Sequence, residues 1–241
     1  MQFYQRISEL YDSIFPLNMA QVAYVKKGME GQKIDSILDV GCGTGNLAME
    51  LAKLSTKTTA IDLDESMLEK ARKKSQGIDN IEFQKLDMLA LNQHFEPRSF
   101  DAVICFGNTL VHLDSEASIL NFLKQTKKVL KDSGKLLVQI INYDRVIDND
   151  IDFLPTIEND KLRFKRNYHL NTESERLDFE TILTIKETGQ EIRNNIELTP
   201  IRKAKLEEYL FLAGFETVNF FGNFKKEKLT KQSIPMVFEA Q

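Results

Sequence analysis

Ser36-Ile37-Leu38-Asp39-Val40-Gly41-Cys42-Gly43-Thr44-Gly45, with Ala60-Ile61-Asp62 one β-α-β unit later, decides how this chain folds. An apolar run ends on an acid, glycines then fall at every second position, and a helix-like segment opens at once. Glycine has no Cβ, so such a loop turns sharply and lets backbone come close to a ligand. The acid at the tip of the next apolar run, Asp62, is placed to accept hydrogen bonds from two vicinal ribose hydroxyls. The stretch predicts an α/β sheet that binds a nucleoside-containing cofactor.

The spacing narrows the choice. A dinucleotide loop reads G-x-G-x-x-G, and Asn46 stands where its third glycine would fall; no Lys-Ser/Thr pair follows, which excludes a P-loop. Working outward, strands are predicted at 36–41, 57–62, 81–86, 100–106 and 134–142. Helices are predicted at 45–54, 65–75 and 116–131, the last stopped by Asp132-Ser133-Gly134. That alternation implies a doubly wound parallel sheet with helices on both faces and ligands at the carboxyl ends of its strands. Asp39, Asp62, Asp87 and Phe106-Gly107-Asn108 all fall at those ends. Residues 1–30 read as a helical cover, with Tyr4, Ile7, Leu10, Tyr11 and Ile14 at helical spacing before Pro16. From 144 to 200 a polar, acid-rich loop leads into three strand-like runs near 161–170, 176–187 and 190–199, read as an antiparallel insertion forming a lid or substrate wall. A helix at 202–213 and strands at 215–221 and 232–239 follow. Without repeats or linkers, 1–241 reads as one domain.

Of 241 residues, 42% are hydrophobic and 28% charged, which fits a folded rather than a disordered chain. A net charge of −4 with no basic stripe argues against a nucleic-acid partner, since such binding rests on phosphate neutralisation. Cys42 and Cys105, the two cysteines, each end a predicted buried strand and read as core residues of a reducing compartment. Arg6, Glu9 and Asp12 interrupt any signal-peptide core, and no apolar run has the length of a membrane span. The expected location is cytoplasmic. Asp148, Asp150 and Asp152 suggest a calcium loop, but Phe153 stands where glycine is needed and Asn159 where the bidentate Glu should be; no metal is expected.

Leu38-Asp39-Val40-Gly41-Cys42-Gly43-Thr44-Gly45 resembles the first motif of the class I S-adenosylmethionine-dependent methyltransferases. The resemblance implies an α/β, doubly wound, Rossmann-like seven-stranded sheet with an antiparallel β insertion after the fifth strand, and Ala213-Gly214-Phe215 before a hairpin resembles its antiparallel close. It implies S-adenosyl-L-methionine as cofactor. Gly41, Cys42, Gly43 and Gly45 would then pass beneath the methionine moiety, and Asp39 would orient the loop or reach the methionine ammonium. Asp62 would hold the ribose, Leu63 would lie against the adenine, and Asp87 with the backbone of Met88 would meet the adenine edge. Phe106 and Gly107 complete the cofactor set, with Tyr11 closing over it.

Ile104–Leu113 carries neither the acid-or-Asn, Pro-Pro, aromatic signature of DNA amino-methyltransferases nor a Pro-Cys nucleophile for pyrimidine carbon. Gly107-Asn108 with His112-Leu113, and Asn142-Tyr143-Asp144 further on, resemble the glycine and sarcosine N-methyltransferase group, although Thr109-Leu110-Val111 departs from its pattern. This implies in-line methyl transfer to a small-molecule amine. Asn108 and Tyr143 would position the amine, His112 would serve as general base, and Asn142 would orient the substrate. Arg166 shares a strand face with Leu162, Phe164, Tyr168 and Leu170, where a guanidinium could grip a substrate carboxylate; Arg145 is a rival. A protein or RNA methyltransferase, or a non-catalytic S-adenosylmethionine-binding regulator, stays open as an alternative.

Overall fold

The computed structural model describes residues 7, 9–171, 173–174 and 176–241. Helices α1 (Tyr11–Ile14) and α2 (Met19–Gly28) come first. Strands β1 (Ser36–Val40), β2 (Lys57–Asp62), β3 (Ile81–Lys85), β4 (Phe100–Cys105) and β5 (Leu130–Ile141) then alternate with α3 (Asn46–Leu51), α4 (Glu65–Lys74), α5 (Leu91–His94) and α6 (Glu116–Val129). Every residue of β4 is buried, as a central strand sandwiched between helices requires. Two of these helices start where a side chain satisfies the first free N–H groups: Asp64 accepts from Ser66 N and Met67 N to open α4, and Ser115 accepts from Ser118 N to open α6.

The main sheet has seven strands in the order β3-β2-β1-β4-β5-β11-β10, where β10 spans Val218–Phe221 and β11 spans Pro235–Ala240. β1 to β5 are parallel, while β11 runs antiparallel to both β5 and β10. The seven-stranded sheet and its antiparallel close are as expected. β5 begins at Leu130, earlier than the expected 134. Phe100 pairs with Leu130 and Ala102 with Lys135, so Asp132-Ser133-Gly134 is an irregularity within a strand and not a turn before one.

After β5 come α7 (Tyr143–Asp148) and a four-stranded antiparallel sheet of β6 (Phe153–Glu158), β7 (Leu162–Asn171), β8 (Arg176–Ile185) and β9 (Glu191–Leu198). The expected loop after 144 is therefore corrected to a helix and a fourth strand. α7 is only six residues long and capped by Asn142, and β6 is an edge strand that tolerates Pro155, so neither carries a periodic signal. One end of the inner face of this sheet, Leu162, Phe164, Leu183 and Ile192, packs with Ile7 and Ile14. The other end, Tyr168, Leu177 and Leu198, joins the main core. α8 (Lys203–Leu212) then leads to β10.

Among the described residues, the expected helical cover over 1–30 contains α1 and α2, broken around Pro16, with Asn18 accepting from Ala20 N to start α2. Tyr4 lies outside the described residues. Asp12 pins α1 to the glycine loop: Thr44 Oγ1 and Asn46 Nδ2 donate to its Oδ1, and Lys74 Nζ donates to Oδ2 at 2.8 Å.

Candidate active site

A cavity of about 500 Å³ opens at the carboxyl ends of β1, β2 and β4. Its floor is the glycine loop. Gly41 N and Cys42 N donate to Ile61 O at 2.8 and 3.0 Å, which carries the β1–β2 pairing past the end of β1 and aims the loop outward. Gly41 (φ +71°) and Gly43 (φ +55°) are left-handed and closely covered: a Cβ on Gly41 would stand 2.5 Å from Thr109 Cγ2, and one on Gly43 3.2 Å from Tyr11 Oη. Both glycines, Tyr11 and Thr109 line the cavity.

Asp62 lines this wall, and a second carboxylate, Asp39, is buried close behind it at the end of β1. Asp62 Oδ2 accepts from Gly43 N at 2.8 Å and Oδ1 from Asp64 N at 2.9 Å, so the group is locked in orientation with lone pairs to spare. Burial raises its pKa, against the pull of those N–H groups. Asp39 is only 3% exposed, and its Oδ2 has no hydrogen-bond partner. Burial, then the charge of Asp62, pushes its pKa up to about 7. A buried, partnerless carboxylate oxygen beneath a glycine loop fits a cationic ligand group. Leu63 is 47% exposed despite its apolar side chain and lines the cavity with Met88, offering a surface for a flat ring. Asp87 also lines it and accepts from Leu89 N at 2.8 Å. Phe106 and Gly107 form the wall beyond β4, Gly107 N donating to Gln139 Oε1 at 3.0 Å.

Three expected cofactor residues, Asp39, Gly45 and Cys42, do not line the cavity and lie behind the wall. A Cβ on Gly45 would stand 2.8 Å from the Phe83 ring and 2.9 Å from Ala71 Cβ, so this glycine lets α3 pack against α4 and β3. Cys42 packs beside Ala48, Ala60 and Phe83, its thiol pKa raised by burial.

His112 ends a 3-10 turn at Thr109–His112 and lines the cavity; burial lowers its pKa to about 4, so the imidazole is neutral at pH 7. The other expected acceptor-side residues are not on the cavity wall. Asn108 sits at φ +69° with its amide already engaged: Oδ1 accepts from Ile141 N at 2.9 Å and Nδ2 donates to Tyr143 Oη at 3.0 Å. Tyr143 is fully buried behind it. Asn142 opens α7 and donates to Thr230 O and Ser233 O, holding the approach to β11. Arg166 donates from Nη2 to Pro155 O at 2.6 Å, and burial lowers its pKa. Arg145 is likewise away from the cavity. Thr109, Leu113, Asp114, Ile196 and Glu197 line it without having been singled out in the sequence. The alternation of β9 was readable, but not which insertion strand reaches the site.

The fold is the one seen in class I S-adenosylmethionine-dependent methyltransferases. Residues 37–134 match the family model described as a methyltransferase domain. The chain is 26% identical over 196 residues to a glycine/sarcosine N-methyltransferase of Aphanothece halophytica, covering 79% of this chain and 69% of that one. It is 32% identical over 130 residues to a ubiquinone biosynthesis O-methyltransferase of Alkalilimnicola ehrlichii, covering 54% and 49%. The chain thus spans about half to two thirds of the length of the curated relatives it matches. A solved S-adenosylmethionine-dependent methyltransferase from Clostridium acetobutylicum superposes over 99% of this chain and 98% of that one, with a TM-score of 0.84 at 17% identity. None of the described helices is long and apolar enough to cross a membrane.

Proposed function

We propose that this chain is an enzyme that methylates an amine nitrogen of a small molecule from S-adenosyl-L-methionine. One observation carries the reading: a single cavity runs from the Gly41–Asp62 wall, suited to a cationic amino-acid end and a ribose, to a neutral His112 and to Ile196 of the insertion sheet. The bound cofactor supplies an electrophilic methyl on a sulfonium. Everything else falls to the protein. Displacement needs the acceptor lone pair held in line at near-attack distance, and such positioning alone supplies several kcal/mol. An amine reacts only when unprotonated. Desolvation at this wall disfavours the ammonium, and a neutral imidazole accepts an amine N–H while stabilising the ammonium less than a carboxylate would, which keeps the lone pair available. Asp39 Oδ2 is the acceptor for the cofactor's ammonium, Asp62 for its ribose hydroxyls, and Leu63 and Met88 cover its adenine. Tyr11 closes the cavity from α1 and keeps water out. The name of the Aphanothece relative supports an amine as acceptor.

The test has two readouts. S-adenosylhomocysteine at about 100 times its Kd should add about 2.7 kcal/mol of stability, a rise in Tm of roughly 5–10 °C, whereas NAD should add none. Incubation with labelled S-adenosylmethionine and a panel of small amines, phenols and peptides should then label amines. Label on phenols alone would assign oxygen as the acceptor atom, and binding without transfer to any of the panel would leave a cofactor-binding protein and refute the enzyme.

A further inference from the structure

The cavity wall carries one sign of charge. Its charged side chains are Asp62, Asp64, Asp87, Asp114 and Glu197, and among the described residues no lysine or arginine lines it. The first three stand beyond β2 and β3, where the cofactor reading places ribose and adenine. Asp114 and Glu197 lie at the other end with His112 and Ile196, and both are exposed at the rim. Hydrogen bonds fix their two segments together. Thr199 N donates to Val111 O at 2.9 Å and Thr199 Oγ1 to Leu113 O at 2.6 Å, which ties the end of β9 to the 3-10 turn that carries His112. Arg176 reaches this joint from β8, with its head engaged in it: Nη1 donates to the Asp114 carbonyl and to Thr199 Oγ1 at 2.7 Å, and Nη2 stands 3.8 Å from Glu197 Oε2, beyond hydrogen-bond distance. Ser118 and Ser115 donate to Asp114 Oδ1 at 2.6 and 3.1 Å; they hold its carboxyl below the usual carboxylate range and leave Oδ2 to the rim. Opposite Glu197 on β8 is Asp178, a like charge where cross-strand pairing favours an opposite one.

A cleft lined by one sign of charge concentrates ligands of the other sign and repels its own. An amino-acid acceptor would bring a carboxylate into this rim, whereas a second ammonium would meet two carboxylates already held in place. Resting on the methyltransferase reading above, we propose that the methyl acceptor is a diamine or polyamine, whose distal ammonium is held by Asp114 and Glu197 while the nitrogen to be methylated lies uncharged at His112. The two ends suit one molecule, because an ammonium a few carbons away disfavours the charged form of the reacting nitrogen. That nitrogen gives its proton to solvent on entry. Its lone pair then forms the new N–C bond as the C–S bond breaks, with the electrons of the broken bond going to sulfur. Binding energy at the distal end sets the in-line geometry at the cofactor.

The experiment starts from binding, so that it does not depend on turnover. The protein saturated with S-adenosylhomocysteine is titrated calorimetrically with butylamine, with its diamine putrescine and with its amino acid γ-aminobutyrate. Putrescine should bind at least about tenfold tighter than butylamine, the low end for gaining hydrogen bonds to a charged group, and γ-aminobutyrate more weakly than either. Salt at about 1 M, where the screening length is about 3 Å, should shrink the putrescine advantage. D114N/E197Q should bring the ratio of putrescine to butylamine affinity close to one, with S-adenosylhomocysteine affinity unchanged. Asp114 also receives two serine hydroxyls, so E197Q alone makes the same test should the double variant fail to fold. Absence of putrescine binding, γ-aminobutyrate binding as tightly as putrescine, or a putrescine preference indifferent to the variants overturns the proposal. Putrescine binding that depends on Asp114 and Glu197 without methyl transfer to any amine would uphold the subsite and refute the enzyme. Methylation of butylamine with no preference for putrescine would do the reverse.

Discussion

Asp39 and Asp62 stand on neighbouring strands, yet the backbone treats them differently. Asp62 receives N–H groups from Gly43 and Asp64, whereas Asp39 Oδ2 receives nothing. Asp62 is therefore set to act as an ionised acceptor, and Asp62→Ala should weaken S-adenosylhomocysteine binding by at least about tenfold, since hydrogen bonds to a charged group contribute about 1.5–3 kcal/mol; isothermal titration measures it, and unchanged affinity removes Asp62 from the ribose site. Asp39 has a folded-state pKa raised to about 7. An acid raised on folding binds more protons folded than unfolded, so its stabilising contribution is complete below the unfolded value near 4 and lost as pH rises through about 7. Asp39→Asn should flatten that decline in the ligand-free protein. Cofactor affinity should move the other way, rising up to about tenfold per unit as pH climbs to about 7 and levelling off above, because an ammonium prefers the carboxylate. Calorimetry in buffers of different ionisation enthalpy would detect the released proton, and a flat profile would separate Asp39 from the ammonium.

At the scale of elements, the short helix α1 is held over the glycine loop by one side chain. Asp12 takes hydrogen bonds from Thr44, Asn46 and Lys74, and these outweigh the burial that would otherwise raise its pKa. Part of this network is exposed to solvent, so Asp12→Ala should cost only about 1 kcal/mol of global stability. It should act more strongly on the cover, speeding proteolysis before residue 18 and the dissociation of S-adenosylhomocysteine; stopped-flow release rates equal to the parent's would show that α1 does not gate the cavity. The same elements show what the sequence could tell. Ile37–Val40 and Phe100–Cys105 were legible because strands buried on both faces are near-continuous apolar runs, each broken here by one acid, Asp39 and Asp101. Gly41, Gly43, Asp62 and Leu63 were legible as residues of the cavity because they fall at strand ends, and His112 through the resemblance of its segment. β6 was not, because Pro155 and its polar neighbours carry neither period, and α7 was too short to repeat one. Asn108 and Tyr143 were legible as a pair but not as a buried one: their amide and hydroxyl bond each other, a relation that exists only after β4 and β5 lie side by side. Glu197 and Ile196 reach the cavity through the tilt of a whole sheet, which no local pattern encodes.

At the scale of the molecule, the insertion shares its interior with the rest. Leu154, Tyr168, Leu177 and Leu198 belong to the same cluster as Val103 and Phe122 of the main sheet and α6. The chain should therefore unfold as one cooperative unit, with far-ultraviolet circular dichroism and tyrosine fluorescence giving coincident denaturant midpoints; two resolved transitions would make the insertion an independent domain. The position of β11 has a consequence for how the protein is made. β5 is synthesised long before β11, yet β11 is the neighbour that covers its edge, pairing from Ile141↔Pro235 to Leu136↔Ala240. A nascent chain on the ribosome thus holds an open, apolar edge of Leu136, Val138 and Ile140 while the whole insertion, α8 and β10 are still being translated. An unpaired edge of that kind is a template for aggregation, so the yield of this protein in a cell should depend on chaperones that shield nascent chains, and on translation speed between β5 and β11, more than its finished stability would suggest.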